Sequence, residues 1–232
     1  MVNNQYRVIR VDLPGFGMSD FPKQDSANAN FTEVYNDYFN FLLDTLHLDS
    51  FYVMGNSLGG MMAWNLTLKH PDRVKKLVLF NSAGYDMKEV MKSANADMLQ
   101  SKLAQMLVKK GVQKFFVKQG ISRVVYDPSK LTDEKIQRIS DFWNREGNMQ
   151  HLIAMANSKN YIDQNLIKNI TCPTLIVWGK QDKIINVKFA ERFHADIKGS
   201  EEIIYDSCGH VPMLERPLDV QRDVLQFLQK NY

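Results

Sequence analysis

The chain has 232 residues, 44% of them hydrophobic, which suits one domain or one core with an inserted subdomain and allows a sizeable interior. Its net charge is only +3 and its lysines and arginines are scattered, which leaves no nucleic-acid tract and no polybasic membrane anchor. No apolar run approaches the length of a membrane span, and the opening residues carry no signal-peptide pattern.

Residues 6–11, YRVIRV, are rich in β-branched side chains and run into Asp12-Leu13-Pro14-Gly15-Phe16-Gly17-Met18-Ser19-Asp20, so they predict a strand and a glycine-punctuated loop. Loops at the carboxyl ends of sheet strands are where α/β proteins build sites. Residues 24–30 form a polar linker. Thr32 is placed to cap a helix whose Val34, Tyr38, Phe41, Leu42 and Leu46 make one apolar stripe. His47 follows at the helix end, a common position for histidine, and is given no chemistry.

The next stretch, FYVMGNSLGGMMAW over residues 51–64, organises the rest. Residues 51–54 read as a buried strand, while Leu58, Met61, Met62 and Leu66 carry helical spacing to the stop at His70-Pro71. Between them Gly55-Asn56-Ser57-Leu58-Gly59 spells G-x-S-x-G. A serine hydroxyl is a poor nucleophile until the backbone lifts it toward a base. A tight strand-to-helix turn does so at the expense of strained φ/ψ and crowding, hence small residues two positions either side. The Leu58 N–H, opening the helix, then points where an oxyanion would form.

Residues 76–80, KLVLF, predict another buried strand, ending in Asn81-Ser82-Ala83-Gly84. Strand and helix alternate to this point, which argues an α/β fold with a mostly parallel sheet and helices on both faces. From residue 85 to about 170 the pattern is helical only. Asp86 with Glu89 makes a possible capping box, and Thr132 can cap a helix bearing Ile136, Ile139 and Trp143. Six of the twelve methionines fall here, at 87, 91, 98, 106, 149 and 155, with Phe115, Phe116, Phe142 and Trp143 among them. An ordinary helical core would explain them. So would an adaptable apolar lid over a pocket, with Phe115, Phe116 and Trp143 joining Asn56 and Val211 as substrate contacts.

The sheet pattern returns at residues 173–178, ending in Gly179-Lys180-Gln181-Asp182. A helix over 186–197 and a strand over 202–205 follow, the latter ending in Asp206-Ser207-Cys208-Gly209-His210. Pro217 opens a last helix with Val220, Val224, Phe227 and Leu228 on one face. Ser57, Asp182 and His210 each stand just past a predicted strand, and in a parallel sheet those ends share one edge, so the three can meet. Asp206 competes as the acid, but four residues before the histidine it suits capping that loop. His70 and His194 sit at a helix end and within a surface-type helix, and His151 is the second candidate to touch substrate. Cys172 and Cys208 have no metal spacing and fall near opposite sheet ends, so a disulfide is not expected and reduced thiols fit a cytoplasmic protein. No metal or cofactor is called for. Three N-x-Thr tripeptides, at Asn30, Asn65 and Asn169, are read as chance, since Asn65 falls inside a predicted helix.

Taken together, Asp12-Leu13-Pro14-Gly15-Phe16-Gly17-Met18-Ser19, Gly55-Asn56-Ser57-Leu58-Gly59-Gly60, His70-Pro71-Asp72-Arg73-Val74, Trp178-Gly179-Lys180-Gln181-Asp182 and residues 208–217 (CGHVPMLERP) resemble the α/β-hydrolase superfamily along essentially the whole chain. The resemblance implies a Ser57, Asp182, His210 triad in that chain order, Leu58 in the oxyanion hole, and a core of residues 1–84 and 171–232 with residues 85–170 as a helical cap. Residues 178–182 and 208–217 look like monoacylglycerol-lipase-like members. The Gly-Asn-Ser elbow looks like hydrolases that cleave carbon–carbon bonds in ring-fission products. Those enzymes usually carry tryptophan after the histidine, where this chain has Val211, which weighs against them. Serine at position 57 argues against the branches with an aspartate nucleophile.

Family members begin with about three more strands, and the loop after the third supplies a second oxyanion donor. The resemblance therefore implies that an N-terminal segment is missing. Edges left without ladder partners would cost roughly 1 to 3 kcal/mol per unpaired group. The reading is a cofactor-independent serine hydrolase of carboxylic esters, with medium acyl chains or monoacylglycerols as the expected substrates, a small-molecule partner and no nucleic acid. The alternatives are a carbon–carbon bond hydrolase, marked by a cap arginine such as Arg123, Arg138 or Arg145 facing a substrate carboxylate, or a non-catalytic binding protein of this fold.

Overall fold

The computed structural model describes residues 6–21, 30–85, 112–157 and 162–232. In chain order the elements are α1 (Phe31–Thr45), β1 (Phe51–Asn56), α2 (Leu58–Lys69), β2 (Val74–Phe80), α3 (Lys114–Ser122), α4 (Asp133–Asn144), α5 (Asn148–Asn157), β3 (Thr174–Gly179), α6 (Lys188–Asp196), β4 (Glu201–Tyr205), α7 (Pro212–Glu215) and α8 (Pro217–Gln229). Four strands form one parallel sheet in the order β1-β2-β3-β4, with Met54 beside Val78, Leu79 beside Ile176 and Val177 beside Ile203. All four strands therefore end on one edge, at Asn56, Phe80, Gly179 and Tyr205.

The middle strands are buried on both faces, which is why β2 and β3 read as near-continuous apolar runs. Period-two alternation divides them. Leu77, Leu79, Ile176 and Trp178 face one core with Trp64 of α2 and Phe193 of α6. Val78, Phe80, Leu175 and Val177 face the other, with Val220, Val224 and Phe227 of α8. Helices thus cover both faces of an α/β sheet. β1, which pairs only with β2 among the described residues, leaves Tyr52 and Met54 exposed.

Lys76, inside a strand that reads as apolar, is buried for a specific reason. Its ammonium donates to the carbonyls of Phe227 (3.1 Å), Leu228 (2.8 Å) and Lys230 (2.7 Å), closing the C-terminal end of α8. The rings of Tyr52, Phe227 and Tyr232 surround it at 5.0–5.7 Å. Burial lowers its pKa, opposed by the charge of Glu201.

Some local expectations change. Residues 6–11 form no strand, because they make no ladder, and Val8, Ile9 and Val11 are exposed. Asn30 rather than Thr32 caps α1, its Oδ1 accepting from Glu33 N–H. Thr132 does cap α4 and Pro217 does open α8. The capping box at Asp86 and Glu89, and Met87, Met91, Met98 and Met106, lie outside the described residues. Among those described, no helix is long and apolar enough to cross a membrane. Both cysteines are free, and burial pushes the Cys208 thiol up to about 12.

Candidate active site

Ser57 is the single residue between β1 and α2, and its φ of 55° and ψ of −120° hold it in a region that L side chains rarely adopt. Such a conformation costs on the order of 1–3 kcal/mol and persists only where surroundings over-determine it. They do so here. Ser57 N–H donates to Phe80 O (3.1 Å), and its carbonyl accepts from Met61 N–H (3.1 Å) and Ala83 N–H (3.0 Å), so the turn is tied to the end of β2. A Cβ on Gly55 would overlap the Gly59 carbonyl, and one on Gly60 would overlap the Ser82 hydroxyl. A Cβ on Gly59 would meet nothing, so the expected crowding operates at 55 and 60 and not at 59. Leu58, first residue of α2, has an N–H with no acceptor inside the helix.

Asp182 lies just past β3 and His210 in the loop after β4. Their side chains meet, with His210 Nδ1 2.7 Å from Asp182 Oδ2, the carboxylate wholly buried and the imidazole 7% exposed. An ionised carboxylate only accepts, so Nδ1 carries the proton and Nε2 is the basic nitrogen. The other carboxylate oxygen takes the N–H groups of Ile184 (2.7 Å) and Ile185 (3.0 Å). The histidine loop is held from several sides. Asn56, immediately before Ser57, donates its amide to His210 O (2.9 Å) and to Phe80 O (3.1 Å). His210 N–H donates to Val124 O (2.8 Å), and Glu215 accepts from Gly209 N–H (2.9 Å) and Tyr126 N–H (2.7 Å). Gly209 has to be glycine, since a Cβ there would press on the backbone of residues 124–126.

The competing groups are engaged elsewhere. Asp206 accepts from Gln181 Nε2 (2.7 Å), a hydrogen bond that lowers its pKa. His70 meets Asn40, His194 meets Ser200, and His151 meets Tyr35. Asn81 and Glu215, which brace the acid and the histidine loop, were not singled out by sequence. Asparagine directly after a buried strand, where a left-handed φ is tolerable, was the available signal for the first.

Residues 2–217 match the family described as alpha/beta hydrolase fold. The chain belongs to that family. A curated relative of this α/β hydrolase, the 2-hydroxy-6-oxononadienedioate/2-hydroxy-6-oxononatrienedioate hydrolase of Cupriavidus pinatubonensis, is 29% identical over 229 residues, covering 96% of this chain and 76% of that protein. An enzyme of the same name from Pseudomonas putida is 30% identical, covering 98% and 79%. In fold it is similar to the meta-cleavage product hydrolase of Pseudomonas fluorescens IP01, with a TM-score of 0.82 at 24% identity over 97% of this chain and 80% of that one.

These relatives correct the ester reading. Proteins similar to this α/β hydrolase over nearly its whole length are named as 2-hydroxy-6-oxononadienedioate/2-hydroxy-6-oxononatrienedioate hydrolases and as a meta-cleavage product hydrolase, which fits the alternative and not the carboxylic-ester or lipase-like expectation. Val211 was given too much weight. It is one half-buried side chain ahead of α7, set against some 230 aligned residues. Among the expected substrate contacts, Phe115 and Phe116 are 62% and 50% exposed, and Trp143 packs over Gly120 beside Val117, Ile121 and Ile136. Of the expected cap arginines, Arg145 pairs with Asp20 at 2.6 Å and Arg138 lies exposed over the Phe142 ring.

Proposed function

We propose that this α/β hydrolase cleaves the C5–C6 bond of a 2-hydroxy-6-oxodienoate, with Ser57 as nucleophile, His210 as base and Asp182 orienting the imidazole. The carrying observation is the buried 2.7 Å Asp182–His210 pair at the strand edge that also bears the strained Ser57 turn, in a chain aligned along its length with hydrolases of that substrate class. Ketonisation first moves the C2-hydroxyl proton to C5, which leaves C5 as a methylene between the C6 carbonyl and a conjugated 2-oxo-3-enoate. His210 Nε2 takes the hydroxyl proton as Ser57 Oγ adds to C6, and the Leu58 N–H receives the developing oxyanion. Collapse breaks C5–C6. The electron pair runs through C4 and C3 to the C2 oxygen, which takes the proton from the imidazolium and leaves as a 2-hydroxydienoate. The same imidazole then takes a proton from water as its oxygen adds to the acyl carbonyl, and returns that proton to Ser57 Oγ as the C–Oγ bond breaks and the carboxylic acid leaves. Asp182 holds the Nδ1–H tautomer throughout.

The domain division belongs to this reading, with residues 1–84 and 171–232 as core and 85–170 as a cap. Support comes from the bonds of Val124 and Tyr126 to the histidine loop, and from Asn148, whose amide donates to Gly17 O at 3.0 Å.

The test is turnover of a synthetic 2-hydroxy-6-oxodienoate, followed as loss of its conjugated absorbance, beside Ser57→Ala. Turnover is expected in the parent, with Ser57→Ala reducing kcat on the order of 10⁴-fold or more. An unchanged rate in Ser57→Ala, or an inert parent, would overturn the assignment.

A further inference from the structure

We propose that Asn81 is a positioning residue for the hydrolytic centre, its one side-chain amide holding both the Asp182 carboxylate and the backbone of the His210 loop. This rests on the triad reading above. Asn81 follows β2, is wholly buried and has a φ of 39°. Its Nδ2 donates to Asp182 Oδ2 at 2.7 Å and to Gly209 O at 3.3 Å, and its Oδ1 accepts from Gly179 N–H at 3.3 Å. The end of β2 is thereby joined to the end of β3, to the acid and to the loop that carries the base.

The identity of the oxygen separates this from ordinary packing. Oδ2, the atom Asn81 holds, is the same one that receives His210 Nδ1–H. Oδ1 already takes two backbone N–H groups, so with Asn81 present each oxygen has two donors. A carboxylate saturated in this way cannot turn about its Cβ–Cγ bond without breaking a charge-assisted hydrogen bond. Without Asn81, Oδ2 keeps only the imidazole, and the carboxylate loses the donor that also ties it to the Gly209 carbonyl of the base loop, which loosens the acid relative to the base while the remaining bonds hold the fold.

Two substitutions isolate the contact. Asn81→Gly tolerates the positive φ and deletes the amide, while Asn81→Asp keeps size and shape but sets an acceptor against Asp182. Turnover per fluorophosphonate-titrated serine is measured on the full chain, with circular dichroism and a cooperative melt reporting the fold. The expected result is a kcat loss of about 10- to 100-fold in folded Asn81→Gly, a larger loss in Asn81→Asp, and KM within roughly twofold. The downfield proton resonance of His210 Nδ1–H, present in the parent, is expected to move or broaden in both. A merely structural asparagine would lower stability and leave kcat per active site unchanged, so folded variants with parental kcat overturn the proposal while the triad stands. If the glycine variant does not fold, the isosteric aspartate variant decides. A parent that neither labels with fluorophosphonate nor cleaves the dienoate removes the triad itself and the proposal with it, an outcome distinguished by that control.

Discussion

Acidification should unfold this protein partly through one buried histidine outside the Asp182–His210 pair. His151 of α5 is 4% exposed and enclosed by the rings of Phe16, Phe21, Phe31 and Tyr35, with centroids 4.3–6.3 Å away. Nε2 meets the Tyr35 hydroxyl at 2.9 Å, and buried Nδ1 has no hydrogen-bond partner, so a second proton would place an unpaired cation in an aromatic box. Burial accordingly lowers its pKa from 6.5 to about 4. A depressed folded-state pKa means that the unfolded chain binds the proton more readily, so the stability is complete above about 6.5 and is lost as pH falls toward 4. At 1.36 kcal/mol per unit the whole window is worth roughly 3 kcal/mol, of which about 2 is gone by pH 5. Other carboxylates titrate over the same range, so the quantity to measure is a difference. Urea unfolding of the parent and of His151→Gln, which can still bond Tyr35, is compared at pH 7.5 and pH 5. The parent is expected to lose about 2 kcal/mol more than the variant, or roughly 4–8 °C in Tm for a chain of this size. Equal losses within about 0.5 kcal/mol would refute the argument.

Removing the plug of α8 should be costly. Lys76→Met strips three carbonyls of their donor, and a loss of about 2–4 kcal/mol in denaturant unfolding is expected, with a change below about 1 kcal/mol counting against the assigned role. At the Ser57 turn, Gly55→Ala forces a Cβ into the Gly59 carbonyl and should reduce fluorophosphonate labelling of Ser57 by more than about tenfold. Gly59→Ala meets no atom and should stay within about 1 kcal/mol of the parent with labelling retained, so equal damage from the two would contradict the steric account.

What was legible in the sequence depended on whether the cause was local. The strand, glycine, serine and helix pattern of residues 51–64 carries its own steric logic, and the structure returns it with Ser57 at a φ of 55°. Asp182 and His210 were placed by a shared sheet edge, which follows once the strands are parallel, and their 2.7 Å contact matches that placement. Partners distant in sequence were not legible. Residues 6–11 have strand composition, but composition cannot supply a ladder. Lys76 looks like a strand-end lysine until Phe227 and its neighbours are folded over it. Asn81 meets groups 98 to 128 residues away. Phe115 and Phe116 satisfied an aromatic expectation by type and then stood exposed, because type does not fix which side of a short helix faces the core. Substrate class failed for a related reason. Val211, one residue beside the histidine, weighed against the carbon–carbon alternative, whereas similarity over nearly the whole chain favours it.

Phe80 and Val177 are neighbours in the sheet, although more than ninety residues separate them along the chain. Closing a loop of that size carries an entropy that grows only logarithmically, so halving or doubling it changes the stability of the sheet by about 0.6 kcal/mol. The strands on either side therefore impose little thermodynamic restraint on the length of what joins them. Natural variation or laboratory replacement can change the length of the connection at little cost in closure entropy, provided the groups in it that pack on the scaffold are kept, among them Asn81, Ala83, Tyr85, Val124, His151 and Ile167. Chain length there is free to vary, while those contacts fix where the connection has to touch the sheet.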